Sequence, residues 1–149
     1  MITTKNIDEA RKEIQKLVRE NKKVVIETGD DNFNRKIFEM NDVDMVVGLE
    51  LKEIDKLKQR DSGMNEVIAK LAKENNIMIG IDIDRIKKFD LVEKGKVLAR
   101  IKQNINLCKR TGARIILLNA DSKEATSFII SLGGSTQQGL RAYFNYAMN

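Results

Sequence analysis

Four short apolar runs, rich in β-branched residues, recur along this 149-residue chain, and segments with helical periodicity separate them. The runs occupy residues 24–27, 45–47, 77–83 and 114–119. Strands that are buried on both faces lose the polar–apolar alternation, so such runs predict a parallel sheet covered by helices, an α/β fold. Four strands are too few to close an eight-stranded barrel, and we therefore expect an open sheet or a partial β/α barrel with an exposed edge.

The segments between the runs carry helix signals. Asn6 to Glu9, Asp121 to Glu124 and Ser135 to Gln138 have the spacing of capping boxes. Proline is absent and the glycines are scattered, so no interdomain linker is indicated and residues 1–149 form one predicted domain. The predicted helices run from Asn6 to about Glu20, around 33–38, from the turn at Ser62-Gly63 to Asn75, from about Glu93 to Thr111, and after Asp121 and Ser135.

Composition excludes several classes of site. Histidine is absent, which rules out His-based metal clusters and nucleophiles activated by His. The only cysteine, Cys108, lies in an apolar helical stripe, which predicts a buried thiol. No apolar run is long enough to cross a membrane and no signal peptide is evident, so we expect a soluble, cytoplasmic protein.

Carboxylates follow each predicted strand, where parallel sheets usually hold their ligands. Two interpretations stay open. The acidic groups could bind Mg²⁺ and activate water in a small hydrolase that uses Asp30, Asp82 and Asp84. Alternatively, they cap helices or stay solvated, which is the commoner role of Asp in these positions. The acidic residues are Glu27, Asp30, Asp31, Glu50, Asp82, Asp84 and Asp121, and Thr28, Gly29 and Asn119 follow the same strands.

Basic residues are grouped, and 27 Lys and Arg residues against 22 Asp and Glu residues give a net charge of +5. A solvated, lysine-rich surface is one explanation of this excess of positive charge, and a polyanionic partner is the alternative. Lys96 and Arg100 are predicted to lie on an exposed helical face opposite Ile101, Ile105 and Cys108, where both could contact one line of phosphates. Because aromatic residues make up only 5%, we expect contacts to backbone and shape rather than base stacking. The groups are Lys52, Lys56, Lys58 and Arg60; Arg85, Lys87 and Lys88; and Lys94, Lys96, Arg100, Lys102, Lys109 and Arg110.

Three motifs occur in a family-specific order from about Val24 onward. They are Asn34-Arg35 with Glu39 and 42–44, the turn and helix of 61–75, and the Arg-rich segment 99–110 before the apolar run 115–118. In order and spacing, the chain resembles the TIM-barrel protein subunit of archaeal and eukaryotic ribonuclease P, protein component 3. The chain departs from the family in two respects. Full-length members have additional N-terminal βα units that are absent here. Many members have His where this chain has Glu66, so a role of that His cannot be carried over to this chain.

The resemblance implies a partial TIM-barrel-like subunit of a ribonucleoprotein endonuclease that removes the 5′ leader of precursor tRNA. In that family the RNA carries the chemistry and its Mg²⁺ ions, so the protein would bind no cofactor itself and would not be catalytic alone. The implied partners are ribonuclease P RNA, precursor tRNA and a small RRM-like subunit, with a homodimer possible. A pure interaction module is a third alternative. The predicted RNA- or partner-binding residues are Arg35, Arg60, Arg85, Lys87, Lys88, Lys96, Arg100 and Lys102.

Overall fold

The computed structural model describes residues 1–52, 55 and 60–145. Helices and strands alternate along the described chain, as the sequence predicts. A 3₁₀ helix, Leu49–Leu51, follows the second strand. The elements in chain order are α1 (Ile7–Arg19), β1 (Val25–Glu27), α2 (Asp31–Phe38), β2 (Met45–Val47), α3 (Glu66–Glu74), β3 (Met78–Asp82), α4 (Ile83–Lys87), α5 (Leu91–Thr111), β4 (Ile115–Leu118), α6 (Ser122–Ser131) and α7 (Thr136–Arg141).

The four strands form one parallel sheet in the order β1-β2-β3-β4. Each strand pairs with the next one along the chain, with Met45 opposite both Val25 and Met78. Single parallel bridges extend the two edges, from Ile2 to Ile26 and from Tyr143 to Leu117. This sequential parallel order confirms the α/β class and is consistent with a partial TIM-barrel-like fold.

Both faces of the sheet are buried, which explains why the strands are apolar throughout. On one face, Ile26, Val46 and Ile79 belong to a cluster with the helices. On the other face, a smaller cluster comprises Val25, Met45, Val47, Met78 and Ile116, with Leu118 and Phe144 packed against it. Cys108 is buried, as predicted. Within the described residues, no helix combines the length and apolarity that crossing a membrane requires.

Side-chain caps set the helix starts and account for two differences from the sequence prediction. The carboxylate of Asp82 accepts a hydrogen bond from the N–H of Asp84 and starts the short helix α4, which was not predicted. Asp90 likewise accepts from the N–H of Glu93, so α5 begins at Leu91 and not at about Glu93. The predicted capping boxes at Asp121 and Ser135 are confirmed, with reciprocal hydrogen bonds in each. The predicted box at Asn6 is wrong in its second half: Asn6 caps the N–H groups of Asp8 and Glu9, but the Glu9 carboxylate accepts from Thr4 Oγ1 and not from the Asn6 N–H.

Candidate nucleic-acid interface

The turn 61–64 connects the 3₁₀ helix region to α3 and is held by its own side chains. Asp61 Oδ1 accepts a hydrogen bond from the N–H of Gly63 at 3.0 Å, and Ser62 Oγ donates to the carbonyl of Met64 at 3.0 Å. Gly63 has φ of +72°, and a Cβ at this position would overlap the carbonyl oxygen of Leu49. A glycine is therefore required where the turn rests directly on the backbone of the 3₁₀ helix.

A charged network lies beneath this turn and ties it to α5. Asp55 Oδ1 accepts from the N–H of Asp61 at 2.9 Å, and Asp55 Oδ2 accepts from Arg60 Nη1 at 2.6 Å. From α5, Arg100 contacts the same Asp55 carboxylate, and Asn104 Nδ2 donates to the carbonyl of Ser62 at 3.0 Å. The hydrogen bond from the Asp61 N–H is the largest influence on the pKa of Asp55 and lowers it. Burial raises this pKa, whereas Arg60 and Arg100 lower it further, and the resulting pKa is about 2.

Lys52 anchors the other side of the turn. Its Nζ lies 2.9 Å from Asp31 Oδ1 and 2.9 Å from Asp61 Oδ2. Because Asp31 belongs to α2, this lysine joins the turn to a third element. The backbone around residues 60–65 is thereby held on both sides by ion pairs.

A groove of about 460 Å³ opens between this turn, the start of α3 and the second half of α5. Two exposed arginines, Arg60 and Arg110, line it together with the carboxylates of Asp61 and Glu66 and with neutral polar side chains. The neutral side chains include Asn65, Gln103 and Asn106. The arginines and amides offer hydrogen-bond donors to a backbone phosphate without a base-stacking platform, and the two carboxylates offset part of the positive charge. We call it the turn groove. Arg110 belongs to the basic groups found in the sequence but not to the eight predicted contacts, and the packing of α3 on α5 places it in this groove.

The first motif, Asn34-Arg35 with Glu39 and Asp44, has a largely structural role. Asn34 is buried and exchanges two hydrogen bonds with Gly29, from the Gly29 N–H at 2.8 Å and to the Gly29 carbonyl at 3.1 Å. Asp44 Oδ2 accepts from the N–H of Val24 at 2.7 Å. Arg35 is exposed and pairs with Glu39 at 3.2 Å, and it lines a cavity of about 230 Å³ on the opposite side of the turn.

The prediction that Arg100 lies on an exposed face is wrong. Its side chain is buried, with 3% of the residue exposed, on the same inward face of α5 as Val97 and Ile101. A charge in that position needs a partner, and Asp55 supplies it. Arg100 therefore has no accessible donor for a phosphate, whereas Lys96 is partly exposed and pairs with Glu93 at 2.6 Å.

The other predicted basic contacts are spread over two elements. In α4, Arg85 is half-buried and Lys87 pairs with Asp84 at 3.2 Å. Lys88 and Lys102 are exposed and form no ion pair with any residue that the structure describes. Lys56 and Lys58 lie outside the described residues. Of the predicted contacts, only Arg60 lies in the turn groove, so the structure does not gather the eight residues into one surface.

The carboxyl ends of the strands meet as predicted, but arginine and amide groups occupy the position where a cation would bind. Arg85 Nη1 donates to Glu27 Oε1 at 2.6 Å, and Asn119 Nδ2 donates to Asp82 Oδ1 at 2.9 Å. Burial opposes ionisation of Glu27, but the hydrogen bonds and charges of Arg85 and Lys5 outweigh it and lower the pKa. Among the described residues, no group of three or more acidic or Cys side chains has an arrangement that could hold a metal ion.

Glu50 differs from its acidic neighbours because it is enclosed. It is 1% exposed, and its Oε2 atom has no hydrogen-bond partner within the described part of the chain. Burial raises the pKa of Glu50 to about 7, although its own backbone N–H and Arg85 favour the charged form. Asp30 and Asp82 serve as helix caps, so the capping interpretation holds for both.

Comparison with known proteins gives one consistent result. No protein-family model matches the chain. Ribonuclease P protein component 3 of Methanococcus maripaludis strain C7 is 28% identical over 141 residues, which cover 95% of this chain and 53% of that protein. The protein of the same name from strain C6 is 29% identical over 141 residues, and that from Methanocaldococcus jannaschii is 24% identical over 116 residues. The chain thus spans about half the length of the curated relatives it matches.

A solved structure shares the fold. It is a chain in a cryo-EM structure of archaeal ribonuclease P with mature tRNA, which superimposes with a TM-score of 0.74 at 21% identity. The match covers 93% of this chain and 62% of that chain. At this identity the likeness establishes the architecture, and the relatives supply the sequence relationship. The resemblance in motifs is therefore confirmed: along nearly its whole length, the chain is similar to archaeal ribonuclease P protein component 3.

Proposed function

We propose that this chain is a protein subunit of ribonuclease P that binds and organises the catalytic RNA for removal of the 5′ leader of precursor tRNA. The observation that carries the proposal is the similarity to Ribonuclease P protein component 3 across 95% of the chain. Two of the sequence motifs, residues 61–75 and residues 99–110, both contribute side chains to the turn groove. The fold shared with a chain in archaeal ribonuclease P adds support.

The turn groove is the surface that we propose for RNA backbone. One of its two arginines, Arg60, is fixed from below, because it bonds to Asp55 and its turn is anchored by Lys52 and Asn104. A preorganised guanidinium loses less freedom on binding a phosphate than a free one. In this proposal the RNA supplies the Mg²⁺ ions and the reacting groups, and the protein binds no cofactor itself.

The proposed complex is cytoplasmic and contains precursor tRNA and a small RRM-like protein subunit. The remaining predicted cations, Arg35, Arg85, Lys87, Lys88, Lys96 and Lys102, are proposed as secondary contacts to RNA or to this subunit. A homodimer is the alternative arrangement. Light scattering of the purified chain, alone and with the small subunit, distinguishes these assemblies, since each has a different mass.

Reconstitution tests the function. The chain is combined with archaeal ribonuclease P RNA and the small subunit, and 5′ cleavage of precursor tRNA is measured as a function of protein and salt concentration. We expect the chain to stimulate cleavage, and we expect Arg60→Ala with Arg110→Ala to weaken assembly and flatten its salt dependence. Lys12→Ala with Lys16→Ala removes the same charge from the exposed face of α1 and is the matched control.

Two results would contradict the proposal. Absence of stimulation by the wild-type chain, with a component 3 protein active in the same assay, would reject the subunit role. Equal effects of the groove pair and the α1 pair would retain the subunit role and reject the turn groove as the contact surface.

A further inference from the structure

A third cavity lies at the opposite end of the sheet from the strand-end carboxylates. It has a volume of about 490 Å³ and lies beside the first residues of β3 and β4 and the last turns of α3 and α5. No residue lines both this cavity and the turn groove. Its volume lies in the range of pockets that bind small organic ligands. We call it the amino-end pocket.

The amino-end pocket combines an apolar floor with a strongly basic mouth. Buried Ala72, Ile77 and Cys108 form part of the floor. Five of the lining residues are cationic and one, Asp44, is acidic. Asp44 pairs with Lys23 at 3.1 Å, whereas the other four cations form no ion pair with a described residue. These four are Lys73, Lys109, Arg114 and Arg141.

The helix ends at the pocket do not account for this charge. The last turns of α3, α5 and α7 contribute Lys73, Lys109 and Arg141, and cations in such positions offset the negative end of a helix dipole. Each helix end is equivalent to roughly half of an elementary charge, so three ends balance fewer than two of the four unpaired cations. A net positive charge therefore remains over a low-polarity floor, where screening by water is reduced.

An aromatic ring and a guanidinium plane are stacked at the rim. The Cζ atom of Arg114 lies 5.5 Å from the ring centroid of Phe144, and Arg114 Nη2 also donates to the carbonyl of Arg141 at 3.5 Å. This stack offers a flat surface beside the cations. Planar bases bind such aromatic and guanidinium surfaces, and phosphates bind the cations.

We propose that the amino-end pocket binds a nucleotide through its phosphate and its base, either as a free mononucleotide or as one residue of an RNA strand. The phosphate lies among Lys73, Lys109 and Arg141, and the base lies against the apolar floor and the Phe144–Arg114 stack. The proposal does not depend on the ribonuclease P assignment, because the pocket is separate from the turn groove.

Titration by ¹H–¹⁵N NMR of the full chain tests this, because glycine amides act as local reporters. Gly112 lines the amino-end pocket, while Gly48 lies beyond the carboxyl end of β2 and serves as the internal control. The probes are adenosine monophosphate, adenosine, inorganic phosphate and a short single-stranded RNA. We expect saturable shifts of Gly112, but not of Gly48, with adenosine monophosphate or with the RNA.

A charge-reversed variant supplies the second arm. Lys73→Glu with Arg141→Glu is expected to weaken the binding by about tenfold or more, because it replaces attraction by repulsion. Lys12→Glu with Lys16→Glu carries the same change of net charge on α1 and should bind as the wild type does. Lys73→Ala with Lys109→Ala is a milder variant in case the reversal unfolds the chain, and the glycine spectrum itself reports on folding.

The outcomes separate the sources of the ligand. Saturation by adenosine monophosphate at lower concentration than by adenosine supports a free nucleotide, and saturation by the RNA alone supports a nucleotide within a strand. The proposal is overturned if neither adenosine monophosphate nor the RNA shifts Gly112 to saturation, or if inorganic phosphate does so at the same concentration as adenosine monophosphate, because the base would then contribute nothing. It is equally overturned if the pocket variants bind as tightly as the α1 control.

Discussion

Arg100 of α5 donates two hydrogen bonds to a single oxygen of Asp55, from Nε at 3.1 Å and from Nη2 at 3.0 Å. The two residues are 45 positions apart in the sequence. Since Asp55 also accepts from Arg60 and from the N–H of Asp61, one carboxylate joins the longest helix to the turn that borders the groove. The position of the turn relative to α5 therefore depends on the buried guanidinium group of Arg100.

Replacing Arg100 by Ala should destabilise the fold, because the variant leaves a cavity and removes the donors from Asp55. We expect the free energy of unfolding to fall by about 2 kcal/mol, measured by urea denaturation. Lys102→Ala, an exposed position on the same helix, should change it by less than about 0.5 kcal/mol. Comparable losses in the two variants would show that Arg100 is not the buried anchor described here.

Glu50→Gln should stabilise the chain in a pH-dependent way. The pKa of Glu50 is about 7 when folded and 4.5 as the reference value, so the folded state retains this proton more tightly. Stability from this group is therefore lost as the pH rises from about 4.5 to about 7. At pH 8 the variant should gain up to about 3 kcal/mol in unfolding free energy, and at pH 4 it should gain almost nothing.

Thermal melts at both pH values, with the exposed Glu74→Gln as control, test this. If the variant and wild type differ by the same amount at pH 4 and pH 8, Glu50 does not titrate in this range. A similar gain in the control would assign the effect to net charge.

Gly63→Ala and Gly95→Ala should have opposite effects on stability. At Gly63 the φ angle of +72° and the contact with Leu49 leave no room for a methyl group, so we expect a loss of more than about 1 kcal/mol. At Gly95, within α5, a Cβ would meet nothing within 4 Å, and the better helix propensity of Ala should add roughly 0.5–1 kcal/mol. Chemical denaturation of both variants provides the comparison. A neutral result for Gly63→Ala would require a different geometry for the turn.

The purified chain should not hydrolyse precursor tRNA or simple phosphoesters in Mg²⁺. The described residues provide neither a His nor a cluster of three or more acidic or Cys side chains that could hold a metal ion, and Arg85 pairs with Glu27. Cleavage assays with the protein alone, with and without Mg²⁺, measure this. Activity that Asp82→Asn abolishes would revive the hydrolase alternative.

The sheet could be predicted from the sequence because a parallel strand buried on both faces leaves a direct compositional signal. In a chain with 33% charged residues, the apolar runs around Ile26, Val46, Ile79 and Ile116 are best accommodated as buried strands. The capping boxes at Asp121 and Ser135 could also be predicted, since a capping box is a local interaction. Local sequence signals and composition were thus sufficient to predict most helices and all four strands.

The inward orientation of Arg100 could not be predicted with the same reasoning. Val97, Ile101, Ile105 and Cys108 define the buried stripe of α5, and Arg100 and Asn104 lie within its width. Helical spacing alone would allow either orientation, but a charge is normally assigned to solvent. The deciding partner, Asp55, is 45 positions away in the sequence, so its contribution becomes visible only in three dimensions. The same is true of the turn groove, which depends on how α3 packs against α5.

The strand order has a consequence for how the chain is assembled. Within the described residues, each sheet strand pairs with the strand that precedes or follows it in sequence. A polypeptide made from its amino terminus can therefore add each strand to an edge that has already been synthesised. No early strand has to wait in an unpaired state for a distant partner, which limits exposure of its apolar residues to aggregation. The order of synthesis and the order of assembly can coincide.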